Sequence, residues 1–113
     1  MKTSVKKAKG RRLQQWVVAQ VLRLFPSLTP DDVRSTPMGA HGVDVQLSTA
    51  AKELFPYDIE CKNWEAFKNV YKAMEQAEYN STLTPVVVIK SNHKTPLVVM
   101  RWEDFEYLMK AIA

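Results

Sequence analysis

Asp44, Glu60 and Lys62 are the residues of this 113-residue chain whose types and spacing are best suited to chemistry. They lie in two stretches, residues 43–47 and 57–62, in which apolar and polar residues alternate. Alternation of this kind predicts strands with one face on a core, and it places Glu60 and Lys62 together on the outer face. If the two strands form an antiparallel pair, Asp44 and Glu60 lie side by side with Lys62 close by.

Two carboxylates on one face favour a cation between them, because their charges repel each other. Mg²⁺ is the natural choice, since it takes hard oxygen ligands and keeps several waters, and Mn²⁺ can substitute for it. The metal ligands predicted are Asp44, Glu60 and the backbone carbonyl of Cys61. The metal would bind a phosphodiester oxygen, while Lys62 positions or deprotonates the attacking water or stabilises the charge on phosphorus.

These residues therefore predict hydrolysis of nucleic acid without an organic cofactor. The alternative is an exposed polar strand face in which the same side chains form a cross-strand ion pair.

The elements that must position these residues follow from the rest of the pattern. Helical spacing predicts helices over residues 11–25, 64–79 and 103–113, with a short helical turn at 29–34. Strands are predicted over residues 43–47, 57–62, 85–89 and 96–100, and the apolar run at 85–89 is typical of a central strand buried on both faces. The prediction is a single α/β domain over residues 10–113. Helices flank a central mixed sheet of about four strands, in the order α-β-β-α-β-β-α.

The charge distribution indicates a polyanionic partner. The formal net charge is +4 and the pI is about 9.3. Residues 1–12 are rich in lysine and arginine and contain no acid, and residues 1–9 are expected to form a basic flexible arm. Such a block suits DNA, because phosphate contacts release condensed counterions, whereas a solvated tail is the alternative. The predicted DNA contacts are Lys6, Lys7, Lys9, Arg11 and Arg12 in the basic block, with Arg34, Ser35 and His41 in the loop before the Asp44 strand.

Composition argues against other classes of protein. Apolar residues make up 46% of the chain and charged residues 25%, which is typical of a globular protein without a membrane helix. No signal-peptide core follows the basic N-terminus. The lone cysteine, Cys61, excludes an internal disulfide and fits a reducing, cytoplasmic compartment.

The remaining distinctive residues have plain structural interpretations. Cys61 is expected to be a small buried residue rather than a nucleophile, because no partnered histidine is in sight. Trp16, Trp64 and Trp102 are expected to belong to the core at helix or strand edges rather than to serve as base-stacking platforms, and His93 is interpreted as a turn residue.

The combination of Asp44 with Glu60-Cys61-Lys62 resembles the PD-(D/E)xK motif of the restriction-endonuclease-like nuclease superfamily. The leading helix, the Gly-Val-Asp segment at 42–44 and the Glu-x-Lys strand followed by a helix extend the resemblance over nearly the whole chain. Val43 stands where the motif often has proline. Within the superfamily, the chain most resembles the small Holliday junction resolvases of archaeal type and their phage relatives, which also have a Lys-Gly pair before the first helix, as at residues 9–10.

The resemblance implies a restriction-endonuclease-like core and a homodimeric, Mg²⁺-dependent endonuclease that acts on branched DNA, with the host cytoplasm as the location of a phage enzyme. The middle and final helices offer apolar residues for a dimer interface. Resolvases of this type usually carry a glutamate early in the first helix, which falls here on Gln14, with Gln15 the neighbouring option. An amide oxygen can hold a water or a metal but adds no charge. Many relatives also direct a glutamine of the middle helix at the site, which here is Gln76.

The sequence is consistent with three functional hypotheses. The first is a structure-selective DNA endonuclease, with Holliday junction resolution as the leading hypothesis and a nicking, single-strand or restriction-type nuclease as alternatives. The chain is short for the last of these, because little of it is left for an element that reads bases. The second is a catalytically weak nucleic-acid-binding module that retains the fold, which Gln14 favours. The third is a structural protein-interaction domain, which predicts no salt-dependent DNA binding.

Overall fold

Short strands and amphipathic helices alternate along the chain, and the computed structural model describes residues 3–37, 42–79 and 81–112. The chain divides into two compact units, Met1–Asn63 and Trp64–Ala113. The first unit contains α1 (Thr3–Leu24), β1 (Val33–Ser35), β2 (Val45–Leu47) and α2 (Thr49–Leu54). The second contains a turn of 3-10 helix (Glu65–Phe67), α3 (Lys68–Glu78), β3 (Val87–Ile89), β4 (Leu97–Val99) and α4 (Trp102–Ile112).

The predicted α/β class is confirmed, but the predicted sheet is wrong in its arrangement. In the described residues, β1 pairs with β2 and β3 pairs with β4, and each pair is a separate antiparallel sheet of two strands. A central mixed sheet of about four strands is therefore not what these residues form. No helix in the described part of the chain is both long enough and apolar enough to cross a membrane.

Helix α1 begins at Thr3, about eight residues before the start at Arg11 that apolar spacing predicts. Residues 3–9, assigned to a flexible arm by composition, are the first turns of this helix. The buried side of α1 presents Val17, Val21 and Leu24, and the helix packs against β1 and β2. Val5, in the first turns, is 41% exposed and does not extend this buried side, so periodicity alone could not detect the helix so far upstream.

A turn and a strand replace the helical turn predicted at residues 29–34. The carboxylate of Asp32 accepts hydrogen bonds from the backbone N–H of Thr29 at 2.8 Å and from the Thr29 hydroxyl at 3.2 Å. These local bonds close a turn, after which Val33 enters β1 and is only 1% exposed. The Thr-Pro-Asp-Asp sequence is compatible with both structures, since the same side chains cap helices and close turns.

Strand β2 is shorter than predicted and has a different partner. Its register with β1 pairs Val33 with Leu47 and Ser35 with Val45. The predicted partner, residues 57–62, is not assigned as a strand. It runs beside the start of β2 and is joined to it by one backbone hydrogen bond, from Asp44 N–H to the Ile59 carbonyl at 3.2 Å. The alternation within residues 57–62 is confirmed in burial, because Ile59 and Cys61 are half-buried while Glu60 and Lys62 are exposed.

Helix α2 occupies the segment that was expected to be a plain connection. Ser48 caps it, since the Ser48 hydroxyl accepts the N–H of Ala51 at 3.1 Å and donates to Asp32 Oδ1 at 2.7 Å. Ala51 and Phe55 are fully buried at this end of the unit. The helix has six residues, which is too short to show a helical period in the sequence.

The second unit matches the predicted elements in position but not in burial. The strand expected to be central and buried on both faces leaves Val88 65% exposed, and its cross-strand partner Val98 is 67% exposed. Met74 of α3 and Met109 of α4 are buried. The core assignment of the tryptophans is wrong for Trp64, which is 57% exposed, as it is for Trp16 of the first unit, which is 44% exposed.

Candidate active site

The backbone around Asp44 is held by the neighbouring strand. Gly42 has a φ of +108°, a conformation that glycine adopts without the strain that a side chain would add. The N–H of Thr36 donates to the Asp44 carbonyl at 2.9 Å, and the Thr36 hydroxyl donates to the Val43 carbonyl. Thr36 is 5% exposed, so it is a buried positioning residue for Asp44 that the sequence pattern did not single out.

The carboxylate of Asp44 binds the segment that carries Glu60 and Lys62. Asp44 Oδ2 accepts the backbone N–H of Cys61 at 2.7 Å, a short charge-assisted hydrogen bond. Together with the bond between Asp44 N–H and the Ile59 carbonyl, it fastens two segments that are 17 residues apart in the chain. Asp44 is thus joined directly to the backbone between the two other candidate catalytic residues.

Glu60 and Lys62 form an ion pair on the solvent side of this segment. Lys62 Nζ lies 3.2 Å from Glu60 Oε1, and the side chains are 46% and 63% exposed for lysine and glutamate respectively. An exposed pair of this kind contributes only about 0–1 kcal/mol to stability. Its charges are therefore accessible to a ligand from solvent, and little folding energy would be lost if a ligand rearranged them.

The pKa of the Cys61 thiol is affected by the carboxylates of Asp44 and Glu60. Burial is the main cause that raises the pKa of Cys61 to about 11, and the negative charges of Asp44 and Glu60 act in the same direction. Cys61 is half-buried rather than buried as expected, and its interpretation as a structural residue rather than a nucleophile stays a prediction.

Gln14 lies on the buried side of α1 and contacts β1. It is 6% exposed, and its Oε1 accepts the hydroxyl hydrogen of Ser35 at 2.7 Å. Ser35 pairs in register with Val45, the residue after Asp44. Gln14 is thus connected to the strand that positions Asp44, while Ser35 directs its hydroxyl hydrogen at glutamine rather than outwards to a phosphate. Gln15, the other option, is exposed.

The remaining candidate residues are distributed over the two units. Lys7, Arg11 and Arg12 are exposed on α1, Lys9 is half-buried there, and Arg34 is exposed on β1. Gln76 lies on α3 of the second unit with an exposed side chain, and its part in the site stays a prediction. His41 and the side chain of Lys6 lie outside what the structure describes. His93 has a φ of 62° in the turn before β4, which confirms its interpretation as a turn residue.

The donor set at Asp44, Glu60 and the Cys61 carbonyl fits a hard divalent cation. All three donors are oxygens, two of them charged, and this is the chemistry that Mg²⁺ prefers. Among the described residues, no group of three or more histidine, cysteine, aspartate and glutamate side chains is arranged to hold a metal.

The chain was compared with models of protein families, with curated proteins and with solved structures, and none of them matches.

Proposed function

We propose that this chain is a metal-dependent endonuclease that hydrolyses DNA phosphodiesters. The observation that carries the proposal is the hydrogen bond from Cys61 N–H to the Asp44 carboxylate, because it joins Asp44 to the Glu60–Lys62 segment. Asp44 must meet this segment if the three residues act together. A merely exposed polar strand face has no need of a link between Asp44 and the backbone of Cys61.

Mg²⁺ is the proposed cofactor, held by Asp44, Glu60 and the Cys61 carbonyl, with Mn²⁺ as a substitute. When bound, the metal supplies Lewis-acid stabilisation of charge on a phosphodiester and lowers the pKa of water. A carboxylate has two oxygens with several lone pairs, so the bonds to Cys61 N–H and to Lys62 do not exhaust the acceptor capacity of Asp44 and Glu60.

Lys62 supplies a positive charge from a side chain, in addition to that of the proposed metal ion. Its ammonium group is held by Glu60 at 3.2 Å on an accessible surface. In this place it orients a water through its N–H donors or stabilises negative charge that develops on a phosphoryl oxygen.

The proposal extends to the PD-(D/E)xK superfamily and, within it, to a structure-selective enzyme of phage that resolves Holliday junctions. Support comes from the residue pattern at Asp44 and Glu60-Cys61-Lys62, from the leading helix and from the helix that follows the motif. The basic surface of α1 supports DNA as the substrate. A location in the host cytoplasm belongs to the same proposal.

A homodimer is part of this proposal, because two active sites are needed for paired cuts in opposing strands. Its support is the large apolar surface of the second unit. Tyr71 of α3 is 70% exposed, and Tyr107 and Ile112 of α4 are 76% and 77% exposed. Apolar residues in such numbers at a surface are typical of a surface that associates with another.

The test is a cleavage assay on a four-way junction and on a linear duplex, with Mg²⁺, with Mn²⁺ and with chelator. Cleavage that is lost with chelator and in Lys62→Ala supports the proposal. Lys52→Ala is the matched control, because Lys52 is an exposed lysine on α2 of the same unit. Binding without cleavage under every metal condition would overturn it, and calorimetric titration of Mg²⁺ provides a readout of the metal site that does not depend on activity.

A second candidate is a catalytically weak nucleic-acid-binding module of the same fold. Gln14 favours it, because a neutral, buried amide that binds Ser35 stands where resolvases usually carry an acid. The same assay separates the two functions, since the module binds junctions without cutting them. A nicking or single-strand nuclease would instead cut, but with no preference for the junction.

A further inference from the structure

We infer that the outer side of α1 is a binding surface for unpaired DNA, in which Trp16 stacks on a base and flanking cations hold the backbone. The inference rests on the proposed function for the identity of the ligand as DNA. It goes further by naming the structural state of that DNA and the residue that recognises it.

Trp16 is the first observation. It was expected in the core, but it is 44% exposed, whereas Val17 and Val21 on the buried side of the helix are at most 4% exposed. The buried side of α1 faces β1 and β2. The indole therefore lies at the edge of the covered side, with nearly half of its surface open to solvent.

The cations around Trp16 are the second observation. Lys9, Arg12 and Arg23 share its side of the helix, since their spacing of three, four and seven residues keeps all four within about a sixth of the circumference. The whole of α1 contains six lysine and arginine residues and no acid. From Lys9 to Arg23 the stripe is about 21 Å long, enough to contact a few nucleotides.

Arg23 is held in a defined place along this stripe. Its Nε and one terminal nitrogen donate to Gln20 Oε1 at 3.1 and 2.9 Å. Because arginine has five N–H donors, one guanidinium can bind a protein acceptor and a phosphate at the same time. A flat aromatic ring between positive charges is the arrangement by which proteins bind single strands, since every base has a face that can stack.

Unpaired DNA suits this surface better than a duplex or a lipid membrane. In a duplex the base faces are stacked on one another, so an exposed indole would gain nothing from them. A membrane-binding helix presents a broad apolar face, but among the described side chains of α1 the large apolar residues that are exposed are only Val5 and Trp16. A four-way junction or a nicked branch offers unpaired or unstacked bases at the place where cleavage is proposed.

The experiment measures binding of the full chain to three labelled 20-mers in chelator, so that cleavage plays no part. They are a thymidine single strand, an abasic strand of equal length and charge, and a duplex. Trp16→Ala is expected to weaken thymidine binding by about 5- to 100-fold, as loss of one stacked base does, and to change abasic and duplex binding less than twofold. Arg12→Ala is expected to weaken binding to all three and to reduce the salt dependence. Trp64→Ala, which removes an exposed tryptophan of the second unit, is the matched control.

Equal effects of Trp16→Ala on thymidine and abasic strands, or no effect on either, would overturn the inference. Binding to anionic vesicles that depends on Trp16, without binding to the thymidine strand, would overturn it in favour of a membrane. If Trp16→Ala fails to fold, fluorescence of a Trp64→Phe, Trp102→Phe variant replaces it. Its single indole should be quenched by the thymidine strand and not by the abasic one. Failure of cleavage in the metal assay leaves these results unaffected, so the two proposals fail separately.

Discussion

At the scale of single residues, Asp44 has two separable roles. Its charge belongs to the proposed metal site, while its Oδ2 is the acceptor that fixes the Cys61 backbone at 2.7 Å. Glu60 and Lys62 meet instead in an ion pair that is exposed to solvent. Substitutions at Asp44 should therefore divide into those that remove only charge and those that also release the Glu60–Lys62 segment.

Asp44→Asn and Glu60→Gln should each abolish cleavage, because each changes a proposed metal ligand. Each should preserve or strengthen DNA affinity, because it removes a negative charge that repels phosphate in the absence of metal. The asparagine oxygen can still accept the Cys61 N–H, so the variant should remain close to wild-type stability. Asp44→Ala removes that acceptor from a part-buried bond and should cost about 1–3 kcal/mol in addition. Denaturant unfolding together with cleavage and binding assays measures the difference. A parallel loss of affinity, stability and cleavage in Asp44→Asn would point to misfolding instead.

At the scale of elements, the first unit is held together by side chains that connect turns to caps. Asp32 binds Thr29 in the turn before β1 and Ser48 at the start of α2, and its own carbonyl accepts the Ser48 N–H at 2.8 Å. These hydrogen bonds, led by the one from Thr29 N–H, hold the pKa of Asp32 below its ordinary value of 3.8. The carboxylate of Asp32 thus joins the turn before β1 to the start of α2, and Asp44 directly precedes the strand β2 that pairs with β1.

Asp32 should make folding stability depend on pH in the acid range. Because its pKa is lower in the folded chain, the ionised form stabilises the fold fully above about pH 4, and this stabilisation is lost as the pH falls through the lowered pKa. Asp32→Asn should be less stable at neutral pH and should show a flatter stability profile between about pH 4 and 2. Thermal unfolding over that range measures it. Asp31→Asn, a change in the neighbouring exposed acid, is the control, and a profile of Asp32→Asn no flatter than that of the control would contradict this role of Asp32.

At the scale of the whole molecule, charge and apolar surface are distributed unequally. Residues 1–30 contain seven lysine and arginine residues and no acid, whereas among the described residues the large exposed apolar side chains are mostly those of the second unit. The first distribution suits a polyanion and the second suits association with another protein surface. DNA binding and oligomerisation should therefore respond to changes in different parts of the chain.

Deletion of residues 1–9 should weaken DNA binding and reduce its salt dependence, by about 0.9 in the logarithmic slope for each phosphate that the chain no longer neutralises. The deletion shortens α1 but leaves its buried residues Val17, Val21 and Leu24 in place, so the unit should still fold. The slope is measured by titration at several salt concentrations. The control removes the same number of positive charges from exposed sites elsewhere, by changing Lys52, Lys72, Lys94 and Lys110 to alanine. An unchanged slope after deletion would contradict a role for this segment in DNA binding.

Features that depend on local pattern could be predicted from the residues alone. Helical period located most of α1, α3 and α4, and period-two alternation identified which side chains of residues 57–62 face outwards. The pairing of Glu60 with Lys62 follows from the same alternation. All of these depend on neighbours a few residues apart, which is why the residues alone predict them.

Local pattern could not predict which segments of the chain pair with each other, because such contacts join residues that are far apart in the sequence. The sequence paired residues 43–47 with 57–62, but β2 forms its ladder with Val33–Ser35, a segment that was interpreted as helix and loop because Asp32 suits a turn and a cap equally. The exposure of Trp16 was also undecided, since an aromatic residue at the edge of an apolar helix face is covered or left open according to the width of the sheet beneath it. The contact between Asp44 and Cys61 depends on both. Local pattern identified Asp44 and the Glu60–Lys62 segment as candidates, whereas the hydrogen bond that joins them is a feature of the fold.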